Sequence, residues 1–322
     1  MTIALLIAGI AMLLLGGGAL VRGASALAEI YGISPLIVGL TVVAFGTSAP
    51  ELVVNSVGAV RGETALAFGN VAGSNIANLG LVLGVAALIS PVALAGSVIR
   101  RELPLLLLAT VMLVVMAFDS ALRGTGNQLD RSDGLILLGL FSIFIYMMVI
   151  DLRRQREDAL VTEVDSLSLS GRGGRNTQLF FIVAGAAGLA LGAELTITHG
   201  SALAANLGVS PALIGLLVVA IGTSLPELIC SVMAAMDQKA DLCVGNVIGS
   251  NLFNTLFVLP ISTLITPIDI PPGGLADLAM ALALAALLLP VFLFGRAYMG
   301  RTTGALFVLM YVGYMSARLI LG

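Results

Sequence analysis

The sequence has few charged residues and few of the side chains that build metal or disulfide sites. Of its 322 residues, 10% are charged, whereas a soluble globular domain carries about 25%. It has one His, no Trp and two Cys, Cys230 and Cys243, and it lacks CxxC and HExxH motifs. The 15 Lys and Arg residues form no basic tract with aromatics. These shortages argue against a soluble domain, a transition-metal enzyme, a disulfide scaffold and a nucleic-acid partner.

The abundant residues are apolar, at 59% of the chain. They fall in blocks of about 20 residues, the length of a membrane-spanning helix. The first block has neither the basic start nor the cleavage site of a signal peptide. We therefore predict an all-α integral membrane protein in the lipid bilayer, with ten transmembrane helices over residues 3–29, 35–60, 65–89, 103–119, 134–151, 178–206, 211–236, 242–265, 275–294 and 302–321.

A polar segment, residues 152–177, divides these helices five and five. We predict a first half over 1–151, a linker and a second half over 178–322. Ten of the Lys and Arg residues fall on the linker side and four in the opposite loops or terminus. Because cytoplasmic loops are rich in Lys and Arg, we expect the linker in the cytoplasm and both termini outside, in a prokaryotic plasma membrane.

The two halves contain a repeated sequence. At an offset of 176, residues 16–83 align with 192–259 without a gap, most closely from 32–83 with 208–259. Within 32–52, 14 of 21 residues are identical to their counterparts, including Gly, Pro, Ser and Glu. Because each half has an odd number of helices, the second copy enters the membrane in the opposite direction. Such inverted repeats are typical of secondary transporters.

Each copy places a glutamate near the middle of a predicted helix. Glu51 lies in AFGTSAPEL and Glu227 in AIGTSLPEL. An ionisable side chain at this depth costs about 3 kcal/mol and faces protein, water or an ion. Pro50 and Pro226 each remove a backbone donor and free a carbonyl oxygen one turn earlier. Helical spacing aligns the oxygens of two equivalent sets, Ala44, Thr47, Ser48 and Glu51, and Ala220, Thr223, Ser224 and Glu227.

The next predicted helix of each copy carries a motif rich in Gly, Ser and Asn. One face holds Ser74 and Asn78, and the equivalent face holds Ser250 and Asn254. Both motifs include a GxxxG spacing, which allows helices to approach closely. The other asparagines of the motifs, Asn70, Asn75, Asn246 and Asn251, are expected to hydrogen-bond between helices.

Together the two copies offer two carboxylates and about ten neutral oxygen donors, with no Cys, His or Lys. Hard cations prefer such ligands, and Ca²⁺ takes six to eight oxygens in flexible geometry. The pattern therefore predicts a site for Ca²⁺ or Na⁺, with no cofactor. An empty site would carry uncompensated negative charge, which favours obligate exchange of one ion for another.

These duplicated motifs resemble the alpha repeats of the sodium/calcium exchanger family, within the cation/calcium antiporters. The resemblance covers the whole ten-helix layout. It implies that Na⁺ drives Ca²⁺ across the membrane by alternating access. The first and sixth helices would slide over a core built from the second, third, seventh and eighth, and one chain would suffice. It also implies that Glu51 and Glu227 are the main Ca²⁺ ligands, aided by Thr47, Ser48, Thr223, Ser224, Ser74, Ser250 and the carbonyls of Ala44 and Ala220, with Asn78 and Asn254 at the centre.

Other functions stay open. A proton-coupled cation/calcium antiporter could use the same glutamates as proton acceptors, and a cation channel could use them as a filter. Some family members, including potassium-dependent ones, have Asp at the position of Asn254, so Asn favours the potassium-independent type. No nucleophile elbow, zinc motif or phosphate loop supports an enzyme.

Overall fold

The computed structural model describes residues 2–93, 98–119, 124, 126–163, 174–207, 220–294 and 298–321. The start of the predicted seventh helix, 211–219, and the start of the second repeat, 208–219, lie outside these residues, as does the middle of the linker, 164–173. The remaining parts of both repeats are described.

The described chain is mostly helical, as predicted. Eight of its helices are long and apolar enough to cross a membrane, and two, α4 and α7, are shorter. A single helical turn, Ala220–Thr223, directly precedes α7. The helices are α1 (Thr2–Tyr31), α2 (Pro35–Val60), α3 (Thr64–Ile89), α4 (Leu103–Met116), α5 (Arg131–Glu163), α6 (Arg175–Asn206), α7 (Leu225–Met236), α8 (Ala240–Ile265), α9 (Gly274–Phe294) and α10 (Arg301–Leu321).

Most predicted helix boundaries agree with the structure within three residues, but the end of α5 does not. This helix was predicted to stop at residue 151 and continues to Glu163. The added residues include three Arg, two Glu and two Leu, which favour helix even outside the apolar stretch. The polar segment is therefore helical at both ends, since α6 begins at Arg175.

Three short π-helical segments interrupt α-helices of the described chain, and a fourth, Val98–Glu102, directly precedes α4. Gly39–Val43 lies in α2, Asn78–Val82 in α3 and Asn254–Val258 in α8. The second and third are equivalent at the offset of 176. A π-helical turn disturbs the regular backbone hydrogen bonding and is frequent at functional sites. Apolar periodicity alone carries no signal for these turns.

Helices α1 and α6 pack against each other along their length. The contact is antiparallel and made through glycines. A Cβ atom at Gly16 would lie 2.8 Å from the carbonyl oxygen of Gly185, and one at Gly9 would lie 3.0 Å from that of Gly192. One at Gly23 would lie 2.9 Å from the carbonyl oxygen of Gln178. The two backbones therefore touch, and the pair forms a single packing unit.

The predicted GxxxG contact is present on α8. A Cβ atom at Gly245 would lie 2.6 Å from the carbonyl oxygen of Leu36 in α2, and one at Gly249 would lie 2.8 Å from that of Leu40. At Gly69 and Gly73, a Cβ would meet nothing within 4 Å among the described residues. The residues equivalent to Leu36 and Leu40 are 212 and 216, which fall outside the described chain.

Two short antiparallel ribbons, absent from the sequence prediction, join the halves. Strand β1 (Val92–Ala93) follows α3 and pairs with β4 (Tyr298–Met299), which precedes α10. Strand β3 (Ile268–Asp269) follows α8 and pairs with β2 (Gln128–Leu129), which precedes α5. Strands of two residues are too short to produce an alternating pattern, which explains why they were missed.

Helix α8 is the most enclosed of the long apolar helices. In its most apolar stretch 94% of the residues are buried, against 28% in α1 and α6. It contacts α2, α3 and α7. These four helices form the centre of the structure and, together with residues 220–224 directly before α7, carry all the predicted site residues.

Candidate ion-binding site

The predicted oxygen ligands are buried at the centre of the four helices. Glu51 and Glu227 are fully buried, although both lie in predicted membrane spans and carry a potential charge. Of Ala220 only the backbone is described, at the start of the turn before α7. The other predicted site residues are also buried, namely Ala44, Thr47, Ser48, Ser74, Asn78, Thr223, Ser224, Ser250 and Asn254.

Hydrogen bonds connect site residues of the first half with those of the second. The Ser48 hydroxyl donates to Glu227 Oε1 at 3.0 Å, and the Ser250 hydroxyl donates to the same oxygen at 3.4 Å. The interaction between Ser48 and Glu227 joins α2 to α7 and connects the two copies of the Thr-Ser-x-Pro-Glu sequence. The two predicted sets of oxygen donors therefore belong to one site.

Two hydroxyl contacts repeat this connection in equivalent positions. Thr47 Oγ1 lies 3.4 Å from Ser250 Oγ, and Thr223 Oγ1 lies 3.4 Å from Ser74 Oγ. At the offset of 176, Thr47 corresponds to Thr223 and Ser74 to Ser250. Each half therefore supplies one threonine and one serine to the same pair of contacts.

The glutamates differ in their surroundings. Glu227 Oε1 accepts the two serine hydrogen bonds, whereas both carboxylate oxygens of Glu51 lack a partner among the described residues. The Ser224 hydroxyl, equivalent to Ser48, is also unpartnered there. The repeat is therefore nearly symmetric in sequence but asymmetric in hydrogen bonding.

Several buried polar atoms of the site have no protein partner in the described chain. They include both oxygens of Glu51, Glu227 Oε2, and the amide oxygens and nitrogens of Asn78 and Asn254. Leaving a buried polar group without a partner costs about 1–3 kcal/mol, and more for a charged group. Such a concentration of unpartnered oxygens at equivalent positions indicates a ligand that binds to oxygen.

The donor set suits a hard cation. The described residues contain no cluster of three or more His, Cys, Asp and Glu side chains. The negative charge comes from two carboxylates, and neutral hydroxyl and amide oxygens complete the set. Oxygen ligands of this kind suit Ca²⁺ and give no preference to the softer transition metals.

The asparagines outside the centre mostly join helices, as predicted. Asn70 donates to Asn55 Oδ1 at 2.6 Å, and Asn75 donates to Thr255 Oγ1 at 2.9 Å. The prediction is wrong for Asn251, whose amide donates within its own helix, to the Val247 carbonyl. A Thr occurs at 255 but a Leu at the equivalent position 79, so Asn251 has no matching hydroxyl across the repeat.

Asn246 has a larger role at the site than sequence reasoning assigned to it. Its amide nitrogen donates to Ser231 Oγ at 3.0 Å and to the Glu227 carbonyl oxygen at 3.4 Å. Its amide oxygen accepts a hydrogen bond from Thr47 Oγ1 at 3.2 Å. One fully buried side chain thereby joins α8 to α7 and α2. The repeat offset could have indicated the bond between Asn246 and Ser231. The equivalent residues of the first half, Asn70 and Asn55, are also hydrogen-bonded to each other.

Backbone irregularities lie next to the ligands. The π-helical segments of α3 and α8 begin at Asn78 and Asn254, and that of α2 ends directly before Ala44. Helix α7 begins after Ser224, with Pro226 in its first turn. The predicted disturbance near Pro226 is therefore present as a helix break. In α2, by contrast, the α-helix continues through Pro50, and the irregular turn lies further upstream.

The chain is similar to known antiporters over nearly its whole length. The chain is 37% identical over 310 residues to the putative antiporter CaxA of Alkalimonas amylolytica, covering 95% of each chain. It is 29% identical over 337 residues to the sodium/calcium exchanger MaX1 of Methanosarcina acetivorans, covering 97% of this chain and 96% of that one.

Solved structures of the sodium-calcium exchanger NCX_Mj, including one soaked with zero Na⁺ and Ca²⁺, are similar to the whole fold. The TM-score is 0.81 at 27% identity, covering 98% of both chains. The family model described as sodium/calcium exchanger protein matches residues 1–150 and 177–320. The chain therefore belongs to the sodium/calcium exchanger protein family and is a multi-pass membrane antiporter for Ca²⁺ and other cations, not an enzyme.

Proposed function

We propose that this protein exchanges Na⁺ for Ca²⁺ across the membrane by alternating access. The observation that carries the proposal is the buried group of oxygen atoms around Glu51 and Glu227, several of which have no partner in the described protein. Two carboxylates balance the charge of one Ca²⁺ or of two Na⁺ ions. The relatives named as sodium/calcium exchangers support the same pair of ions.

The ligand set comprises both copies of the repeat. Glu51 and Glu227 supply the charge, and Asn78 and Asn254 line the centre. The unpartnered oxygens of Glu51 and Glu227 support this assignment. The neutral ligands are Thr47, Ser48, Ser74, Thr223, Ser224, Ser250 and the carbonyls of Ala44 and Ala220.

The architecture is a pair of inverted five-helix halves, 1–151 and 178–322, with ten transmembrane helices. Three features support it: the sequence repeat, the paired Thr–Ser contacts, and the two ribbons in which each half supplies one strand to each pair. The linker, 152–177, lies in the cytoplasm and both termini lie outside.

Alternating access would use the α1–α6 pair as the moving part. Its glycine contacts hold the two helices together, while its buried fraction is low compared with that of α8. A pair that packs tightly on itself and less extensively on its surroundings can slide as one body. Without a bound cation the site would keep uncompensated charge in a low-dielectric interior, which disfavours the crossing. Transport is then restricted to exchange.

The test is uptake of ⁴⁵Ca²⁺ into proteoliposomes. Vesicles loaded with Na⁺ are compared with vesicles loaded with K⁺ or choline, and with vesicles that have only a pH gradient. We expect uptake that requires internal Na⁺. Uptake driven by the pH gradient alone would identify proton coupling instead, and uptake without any counter-ion would identify a channel.

The central asparagines offer a test of ion selectivity. Both amide atoms of Asn254 lack a partner in the described chain, so Asn254→Asp adds a carboxylate at the site without breaking a hydrogen bond seen here. We expect the fold to persist and the dependence of uptake on pH or K⁺ to change. The matched control is Asn206→Asp, at the exposed end of α6. Unchanged ion dependence in Asn254→Asp would remove this residue from the centre.

A further inference from the structure

A cavity lined by both charged and apolar side chains lies at the end of the α1–α6 pair, apart from the residues of the ion site. Its volume is about 370 Å³, within the range of small-ligand sites. Residues from three separate elements line it: Arg22, Ser25 and Glu29 of α1, Thr177 and Gln178 of α6, and Lys239 before α8. Because α6 follows the linker, this cavity is on the linker face of the protein.

Cationic side chains outnumber carboxylates among the residues that line the cavity. Arg22 and Lys239 contribute two positive charges and Glu29 one negative charge, which leaves +1. Lys239 also has an exposed ion pair with Asp237 at 3.4 Å, a kind of interaction that contributes little. Arg22 makes no ion pair within the described residues, although it lies in a membrane-length helix. An arginine in this position requires an anion or the polar interface.

The donors suit a phosphate group. The Arg22 guanidinium offers a planar set of N–H donors that matches phosphate oxygens, and the Lys239 ammonium adds a point charge. Thr177, in the first turn of α6, brings a hydroxyl near a helix N-terminus that favours anions. The Ser25 hydroxyl already donates to the Val21 carbonyl at 2.7 Å. With Glu29 in the lining and Asp237 beside Lys239, the local excess of positive charge is small, which suits the single negative charge of a phosphodiester better than a polyphosphate.

The apolar border of the cavity suits acyl chains. Phe181 lines it and is 41% exposed, and its neighbours Phe180 and Val183 are each 67% exposed. Exposed apolar side chains on a protein surface mark contact with lipid or with another protein. A phospholipid could thus place its phosphate in the cavity and its chains against Phe181.

We propose that this cavity binds a phosphodiester group, held by Arg22 and Lys239. Arg22 belongs to the α1–α6 pair and Lys239 to the connection between α7 and α8. A phosphate bound by both residues joins the pair to the central helices. Any effect on transport rests on the proposed function. Binding itself needs no ion gradient, so failure of the two hypotheses can be distinguished.

The test is native mass spectrometry of the full chain released from maltoside micelles. Three ligands are added in turn: phosphatidylglycerol, the diacylglycerol with the same chains and no phosphate, and soluble glycerophosphoglycerol. We expect retention of phosphatidylglycerol and at least tenfold weaker retention of diacylglycerol. Binding of the soluble phosphodiester as well would identify a water-soluble source, whereas its failure would identify the lipid. Equal retention of diacylglycerol and phosphatidylglycerol would overturn the proposal.

Variants connect the binding to this cavity. Arg22→Gln with Lys239→Gln is expected to weaken phosphatidylglycerol binding at least tenfold, and Arg22→Lys to weaken it less than Arg22→Gln. The control is Arg61→Gln, at an exposed position after α2, which should bind as the natural protein does. If the double variant does not fold, the single variants are compared. An equal loss in Arg61→Gln, or no loss in the cavity variants, would contradict the assignment.

Discussion

Replacing Glu51 by Gln is expected to abolish Ca²⁺ uptake while leaving the protein folded. Both carboxylate oxygens of Glu51 are buried and have no partner in the described chain, so the change breaks no hydrogen bond seen in the structure. It removes one of the two charges that would balance Ca²⁺. We expect the affinity for Ca²⁺ to fall at least 100-fold, about 2.8 kcal/mol.

Glu227→Gln should also abolish uptake, but with a different effect on stability. Glu227 Oε1 accepts hydrogen bonds from Ser48 and Ser250. Hydrogen bonds to a charged group contribute about 1.5–3 kcal/mol and neutral ones about 0.5–1.5 kcal/mol. Without Ca²⁺, Glu227→Gln should therefore unfold at a lower temperature than Glu51→Gln.

Both glutamate variants can be measured in the same two assays. The first is ⁴⁵Ca²⁺ uptake, and the second is thermal unfolding in detergent with and without Ca²⁺. Stabilisation by Ca²⁺ should disappear, because a ligand stabilises only the state that binds it. Glu63→Gln, at an exposed position before α3, is the control and should behave as the natural protein. Normal uptake by Glu51→Gln would show that this carboxylate is not a ligand.

Substitution of a glycine at the contact between α1 and α6 should abolish uptake, as substitution of Glu51 or Glu227 should. At Gly16 a new Cβ atom would lie 2.8 Å from both the Gly185 carbonyl oxygen and the Leu189 backbone nitrogen. Backbone atoms cannot move aside as a flexible side chain can. We expect Gly16→Val to lower the free energy of unfolding by about 3 kcal/mol or more and to abolish uptake.

A neighbouring glycine on the same helix provides the control for Gly16→Val. At Gly18 a Cβ atom would meet only the methyl end of Met233, at 3.4 Å, so Gly18→Ala should preserve uptake and stability. Gly16→Ala provides a milder variant if Gly16→Val cannot be purified, and it should also be less stable than the natural protein. If Gly16→Val changes neither the free energy of unfolding nor uptake, the helices do not pack backbone to backbone at this point.

The position of the site could be predicted from the sequence because its residues are duplicated and cannot be explained by the lipid environment. Glu51 and Glu227 are costly in a membrane unless they have a ligand or partner, and the equal spacing of Thr47 and Thr223 placed hydroxyls beside them. The structure brings these residues together through the bond between Ser48 and Glu227. The two sets of oxygen donors form one site because the helices that carry them pack against each other.

Other features could not be predicted because they depend on contacts between distant parts of the chain. The π-helical turns at Asn78 and Asn254 change backbone hydrogen bonding without altering the apolar pattern. Glu51 and Glu227 occupy equivalent positions, and only the packed structure shows that Glu227 alone accepts serine hydrogen bonds. The extension of α5 to Glu163 follows from helix propensity in a polar segment, which a search for apolar stretches does not measure.

The two short ribbons have a consequence for biogenesis. Strand β1 pairs with β4, which lies more than 200 residues later in the chain, and β2 has to await β3 in the same way. The ribosome therefore completes the first half long before it makes β3 and β4, the strands with which the first half pairs. Although proteins commonly fold domain by domain during synthesis, neither half of this one can reach its final form early. The last step of assembly waits until β4 has emerged from the ribosome.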